Sequence, residues 1–169
     1  MKKVAIFGKP GSGKSTLARR LASVSGLPLH PLDSILYKSD GQFVERESYD
    51  RQHTTLLSSE NWIIDGLGPL DSFYKRLEAA DTLIYIDLPY SVSYYFVTKR
   101  LIKGLLIKPE GWPEGSSVLN GTLQSYKVLK RCPKFWNNAF LQRLQKISVN
   151  KKLHIIRSTS GLKKFIPGC

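Results

Sequence analysis

Acidic side chains run out along this chain. None lies between Asn120 and Cys169, and residues 85–169 carry 15 Lys/Arg against 3 Asp/Glu. The first 84 residues are nearly balanced, with 11 Lys/Arg and 10 Asp/Glu, so almost all of the net +13 sits in the second half. Such a field favours polyanions: nucleotide phosphates, a phosphorylated compound or nucleic acid. Cysteine is scarce too. Cys132 and Cys169 alone make neither a disulfide framework nor a zinc site, so a reducing cytoplasm is the expected setting. Long apolar runs are missing. The opening run ends at Phe7, too short for a signal-peptide core, and Lys99, Arg100 and Lys103 interrupt the best later stretch, Tyr90 to Ile107. No membrane span is expected.

What remains is ordinary for one globular domain. The 169 residues are 41% hydrophobic and 23% charged, enough for a single core over 1–169. Short apolar runs alternate with helical patterns. Lys3–Phe7, Leu27–Leu32, Trp62–Ile64, Leu83–Ile86 and Leu153–Ile156 read as strands. Ser15–Val24 carries Leu17, Leu21 and Val24 on one helical stripe that Gly26 ends. Glu45–Glu60 reads as a helix polar on most faces, Ser72–Ala80 as a short helix and Ser91–Lys103 as an amphipathic one. Two basic helical stretches, Leu123–Arg131 and Asn137–Ser148, follow a breaker-rich segment from Gly104 to Gly121, and Leu162–Ile166 reads as a closing turn. Strands separated by helices predict a parallel sheet covered on both faces.

One segment carries chemistry. Gly8-Lys9-Pro10-Gly11-Ser12-Gly13-Lys14-Ser15 fits G-x-x-x-x-G-K-[ST] without a mismatch, between an apolar run and an amphipathic helix. Glycines let main-chain N–H groups turn inward on phosphate oxygens, and the helix start adds its positive end. Lys14 supplies a mobile charge for the outer phosphates, the Ser15 hydroxyl suits Mg²⁺, and Thr16 falls near the innermost phosphate. The expected ligand is ATP or GTP with Mg²⁺.

Lys3–Gly8 leading into Gly13–Leu21 resembles the opening of adenylate kinases and their relatives. Trp62-Ile63-Ile64-Asp65-Gly66 and Ala79–Pro89 resemble that group's third- and fourth-strand motifs. With His30, Leu32-Asp33 and Arg76–Asp81, the chain is most similar to the bacterial topology modulation protein branch of these P-loop proteins. The resemblance implies a three-layer α/β P-loop fold, adenylate- and shikimate-kinase-like, with a five-stranded parallel sheet and a short lid over 104–121. It implies a kinase transferring the γ-phosphoryl group of ATP to a small acceptor, with some ATPase activity. The alternative is an NTP-dependent, DNA-associated protein, resting on the basic half. A monomer or homodimer is expected.

The same resemblance assigns roles. Asp65 would hold Mg²⁺ with Ser15, and Asp33 would orient or deprotonate the acceptor, with a turn or helix-cap role as its structural alternative. Arg100 at the lid entrance would stabilise the moving phosphoryl group, with Lys103, Lys108, Lys127, Lys130 and Arg131 as weaker candidates. Arg76 is a candidate for a substrate phosphate, and Trp112 and Trp136 for stacking on a base. Asp87 reads as a helix cap or strand end, His30 as lining the acceptor side, and His53 and His154 as structural or surface residues. Adenylate kinases follow the third-strand Asp-Gly with Phe-Pro-Arg, whereas this chain has Leu67-Gly68-Pro69. The arginine that would grip a nucleoside monophosphate is absent there. A guanine-reading Asn-Lys-x-Asp stretch is also absent.

Overall fold

Val4, Ala5, Ile6 and Phe7 are each fully buried. Alternation sends Val4 and Ile6 to one face and Ala5 and Phe7 to the other, as a central strand of a covered sheet requires. In the computed structural model, which describes residues 1–38, 41–106 and 118–165, this run is β1 (Lys3–Gly8). β2 (Leu29–Pro31), β3 (Trp62–Asp65), β4 (Thr82–Ile86) and β5 (Lys152–Ile156) complete a five-stranded sheet in the order β2-β3-β1-β4-β5. Every neighbouring pair is parallel. The helices between are α1 (Lys14–Ser25), α2 (Asp33–Leu36), α3 (Arg46–Ser58), α4 (Leu70–Ala79), α5 (Tyr90–Leu106), α6 (Val118–Phe135), α7 (Asn138–Ile147) and α8 (Thr159–Lys164).

One face of the sheet packs Leu17, Ala18 and Leu21 of α1 under Val4, Ile6, Ile63, Ile84 and Ile86, with Leu162 of α8 at the edge. The other face carries α3, α4, α6 and α7 on an aromatic cluster. Tyr85 stacks on Trp136 at 5.1 Å between ring centres, and Trp136 meets Phe140 edge-to-face at 4.8 Å. Such pairs add about 0.5–1.5 kcal/mol each beyond the area they bury. Trp136 is therefore a core residue and not a base-stacking one; Trp112 lies outside the described residues.

The breaker-rich segment is helical at both ends. α5 runs through Gly104 to Leu106 and α6 begins at Val118, so Gly121 is inside a helix. A helical glycine costs about 1 kcal/mol relative to alanine, which the packing of α5 against α6 offsets. The middle of the expected lid, 107–117 with Lys108, is outside the described residues, as is the Lys103 side chain. α3 also departs from its polar appearance, since Tyr49 and His53 are buried. Among the described residues, no helix is long and apolar enough to cross a membrane.

The chain runs from β1 to β2 on one side and crosses to β4 on the other, so the strand order reverses beside β1. Ligands of open parallel sheets settle outside the strand C-termini at such a reversal. Gly8, Asp33, Asp65 and Asp87 all lie at that edge.

Candidate phosphate-binding site

After β1 the chain makes a loop that only glycine tolerates at two places. Gly11 has φ 69°, and a Cβ there would come within 2.5 Å of the Ser93 carbonyl oxygen. Gly13 has φ 84°, and a Cβ there would meet Leu162 at 2.8 Å. A side chain at either place would fill the cradle or push α5 or α8 away. α1 then starts with no side-chain cap and no acidic residue in its first turn. Its leading N–H groups and the positive end of the helix are left for an anion.

The two lysines of the loop have separate roles. Lys14 donates from Nζ to the Lys9 carbonyl oxygen at 2.9 Å, across the mouth of the loop. Burial pulls its ammonium below the ordinary lysine range, while the charges of Asp65 and Asp33 oppose that shift. Lys9 turns the other way. Its side chain is 2% exposed, pairs with Asp87 Oδ1 at 2.6 Å and lies 4.7 Å from the centre of the Tyr90 ring. Only main-chain groups of Lys9 face a ligand position. Asp87 is accordingly the anchor of the loop lysine, and it also accepts from the Tyr85 hydroxyl at 3.1 Å.

Across the loop, the Ser15 hydroxyl donates to Asp65 Oδ2 at 2.6 Å. Asp65 is 6% exposed, and its Oδ1 is buried with no hydrogen-bond partner among the described residues. A buried carboxylate oxygen without a donor is costly unless a cation or water completes it. A hydroxyl and a carboxylate are hard oxygens of the kind Mg²⁺ takes alongside waters and phosphate oxygens. The residues present therefore fit a magnesium ion. Among the described residues there is no cluster of three or more His, Cys, Asp or Glu side chains that could hold a metal ion.

Asp33 opens α2 at the end of β2. It makes no cap hydrogen bond, because Leu32 occupies the cap position. Water reaches its carboxylate, yet protein surrounds it closely enough to raise its pKa. Desolvation leads and the charge of Asp65 adds to it, while Lys14 and Arg100 pull the other way. Arg100, on α5, donates to the Ser125 hydroxyl of α6 at 3.0 Å and feels the charge of Asp33. The structure thus brings Lys14, Ser15, Asp33, Asp65 and Arg100 to one cleft. His30 is half-buried on β2.

Arg76 goes elsewhere. It is fully buried and donates from Nη2 to the carbonyl oxygens of Gly66 (2.7 Å) and Leu67 (2.9 Å). It supports the turn after Asp65 from below and does not face the cleft. Nothing in a helical Lys-Arg-Leu pattern marks it as buried; the cue lies in the turn it must hold.

No family model matches the sequence, and no curated protein matches it. Solved structures do. Shikimate kinase from Acinetobacter baumannii in complex with shikimate superposes with a TM-score of 0.54 at 18% identity, over 96% of this chain and 86% of that one. Shikimate kinase from Bacteroides thetaiotaomicron gives 0.48 at 20% identity, over 85% and 96%. At 18% identity the first of these likenesses is one of fold: a P-loop α/β fold with a parallel five-stranded sheet between helical layers.

Proposed function

We propose that this chain is a P-loop phosphotransferase that moves the γ-phosphoryl group of ATP to a hydroxyl of a small acceptor. The observation that carries this reading is the Ser15–Asp65 contact at 2.6 Å beside the loop, with Lys14 and Asp33 coupled to it. A triphosphate would lie in the loop 8–16, on main-chain N–H groups from among Gly8, Lys9, Gly11, Ser12, Gly13, Lys14, Ser15 and Thr16, with Pro10, which has no N–H, only shaping the turn. Ser15, and Asp65 through water, would hold Mg²⁺, which would supply positive charge to offset that of the phosphates. Lys14 would leave the Lys9 carbonyl for the outer phosphates, and Arg100 would face the charge developing on the transferring group.

Asp33 supplies the acid–base step. The acceptor oxygen bonds to the γ-phosphorus as the bond from that phosphorus to the β–γ bridging oxygen breaks. The hydroxyl proton passes to the Asp33 carboxylate, and ADP leaves with the bridging oxygen's electron pair. The direct test is ADP release from ATP–Mg²⁺ across hydroxyl acceptors. Acceptor-dependent release that Lys14→Ala abolishes supports the reading, and release that Lys14→Ala leaves intact overturns it.

A second reading rests on a different observation. Lys127, Lys130, Arg131 and Lys134 recur at i, i+3, i+4 and i+7 on α6, and all four are exposed. One cationic face suits a polyanion such as DNA. Affinity for duplex DNA falling steeply with salt would support it, and no binding near physiological salt would remove it.

A further inference from the structure

Directly after Asp33 the chain builds a small aromatic surface. Tyr37 stands four residues beyond Asp33 and its N–H donates to the Asp33 carbonyl oxygen at 3.1 Å, which is helical spacing. Tyr37 is the extended residue that ends α2, with φ −117° and ψ 141°. The phenol of Tyr37 feels the charge of the Asp33 carboxylate. Tyr37 then pairs with Phe43 in an antiparallel bridge, held by Lys38 N–H to the Gln42 carbonyl (2.8 Å) and Val44 N–H to the Leu36 carbonyl (3.0 Å).

The two rings lie 4.9 Å apart at 32°. Neither belongs to the two cores, whereas Ile35 and Leu36 of the same segment pack inward. Phe43 is 67% exposed and Tyr37 37%. Two adjacent rings kept out of the core and beside a carboxylate form a surface for stacking.

Charge narrows what would lie there. Arg46, just past Phe43, is ion-paired with Asp50 at 2.8 Å and with Asp71. Arg76 is fully buried beneath the turn, with Nη2 on the carbonyl oxygens of Gly66 and Leu67, and does not reach this surface. Lys14 and Arg100, whose charges reach Asp33, stand at the phosphoryl end.

We propose that the Tyr37–Phe43 pair is the platform for the phosphate acceptor, and that the acceptor is an uncharged hydroxyl compound carrying a flat ring, of the nucleoside kind. The ring lies on Phe43 and Tyr37 and its hydroxyl reaches Asp33. This rests on the phosphotransferase reading and adds the class of acceptor to it.

The test uses the full chain with Mg²⁺. Binding of a non-hydrolysable ATP analogue is measured first. Adenosine, guanosine, cytidine, thymidine, their 5′-monophosphates and the ring-free polyol erythritol are then titrated onto the loaded protein, and ADP release is followed with ATP. At least one nucleoside is expected to bind and turn over better than its monophosphate and than erythritol. Phe43→Ala should raise its KM about tenfold to a hundredfold with little change in kcat, and Phe43→Tyr should restore it. Phe43 lies outside the core, so the melting temperature of Phe43→Ala reports whether folding is intact. If the analogue binds but no nucleoside outdoes erythritol, or a monophosphate is the better acceptor, or Phe43→Ala leaves KM unchanged, the acceptor proposal fails while nucleotide binding stands. If the analogue itself does not bind, the phosphotransferase reading fails and this one with it.

Discussion

The ammonium of Lys9 and the carboxylate of Asp87 meet at 2.6 Å behind the phosphate loop, joining the end of β1 to the end of β4. Lys9 is 2% exposed and Asp87 25%, so the pair is largely withdrawn from water on the lysine side. Removing one member strands a buried charge, whereas removing both does not. Asp87→Asn should destabilise the fold by about 2–4 kcal/mol, and Lys9→Met combined with Asp87→Asn should recover part of that loss. Denaturant unfolding of the two single variants and the double variant measures the coupling. Strict additivity would contradict a direct pair.

The two loop lysines should separate in binding as they do in space. Lys9→Met leaves the main chain of the loop in place, so triphosphate affinity should stay within about threefold if main-chain N–H groups hold the phosphates. Lys14→Ala should lose most of it. Equal losses in the two variants would contradict the division of roles.

In the proposed reaction, Asp33 would set a pH limit on catalysis. Only the carboxylate can accept the acceptor's proton, and partial desolvation by the surrounding protein, with the Asp65 charge, raises its pKa above the ordinary carboxylate value. Activity should therefore fall on the acid side, with the fall beginning above the usual carboxylate range. Asp33→Asn should lower kcat by about 10²–10⁴-fold while the ATP analogue still binds. A pH profile of kcat/KM that is flat through that region would count against Asp33 as the base.

His53 makes the fold acid-sensitive. It stacks on Tyr49 and is 2% exposed, and burial together with the Arg76 charge lowers its pKa from 6.5 to about 4. Between those values the unfolded chain binds a proton that the folded chain refuses, so stability rises with pH across that window. Below it, the contribution of the neutral folded state is lost, about 2–3 kcal/mol in all. Unfolding followed from pH 7 to pH 4 should show a shallower loss for His53→Gln than for the natural chain. Parallel losses would place the sensitivity elsewhere.

Much of this architecture is readable from the chain itself. β1, β3 and β4 are apolar runs that end at or just before glycine or aspartate, and burial on both faces leaves such runs no other place. The loop at 8–15 carries its own geometry in its glycines. Harder to read is anything set by distant partners. Lys9 and Asp87 are 78 residues apart, and no local pattern says that one loop lysine turns inward. Arg76 looks like a surface helix residue until the carbonyl oxygens of Gly66 and Leu67 are seen to need a donor. α3 looks polar because only Tyr49 and His53 are fully buried, with Leu56 and Leu57 partly buried against the core. The Tyr37–Phe43 bridge is a single pair, too short for periodicity to report.

Calorimetric titration of ATP with Mg²⁺ onto the natural chain and onto Lys14→Ala tests the central claim most directly. The account predicts saturable, one-site heat for the natural chain, weakened at least tenfold without Mg²⁺ or without the Lys14 ammonium. No heat with ATP or GTP in the presence of Mg²⁺, or the same heat from both proteins, would contradict it.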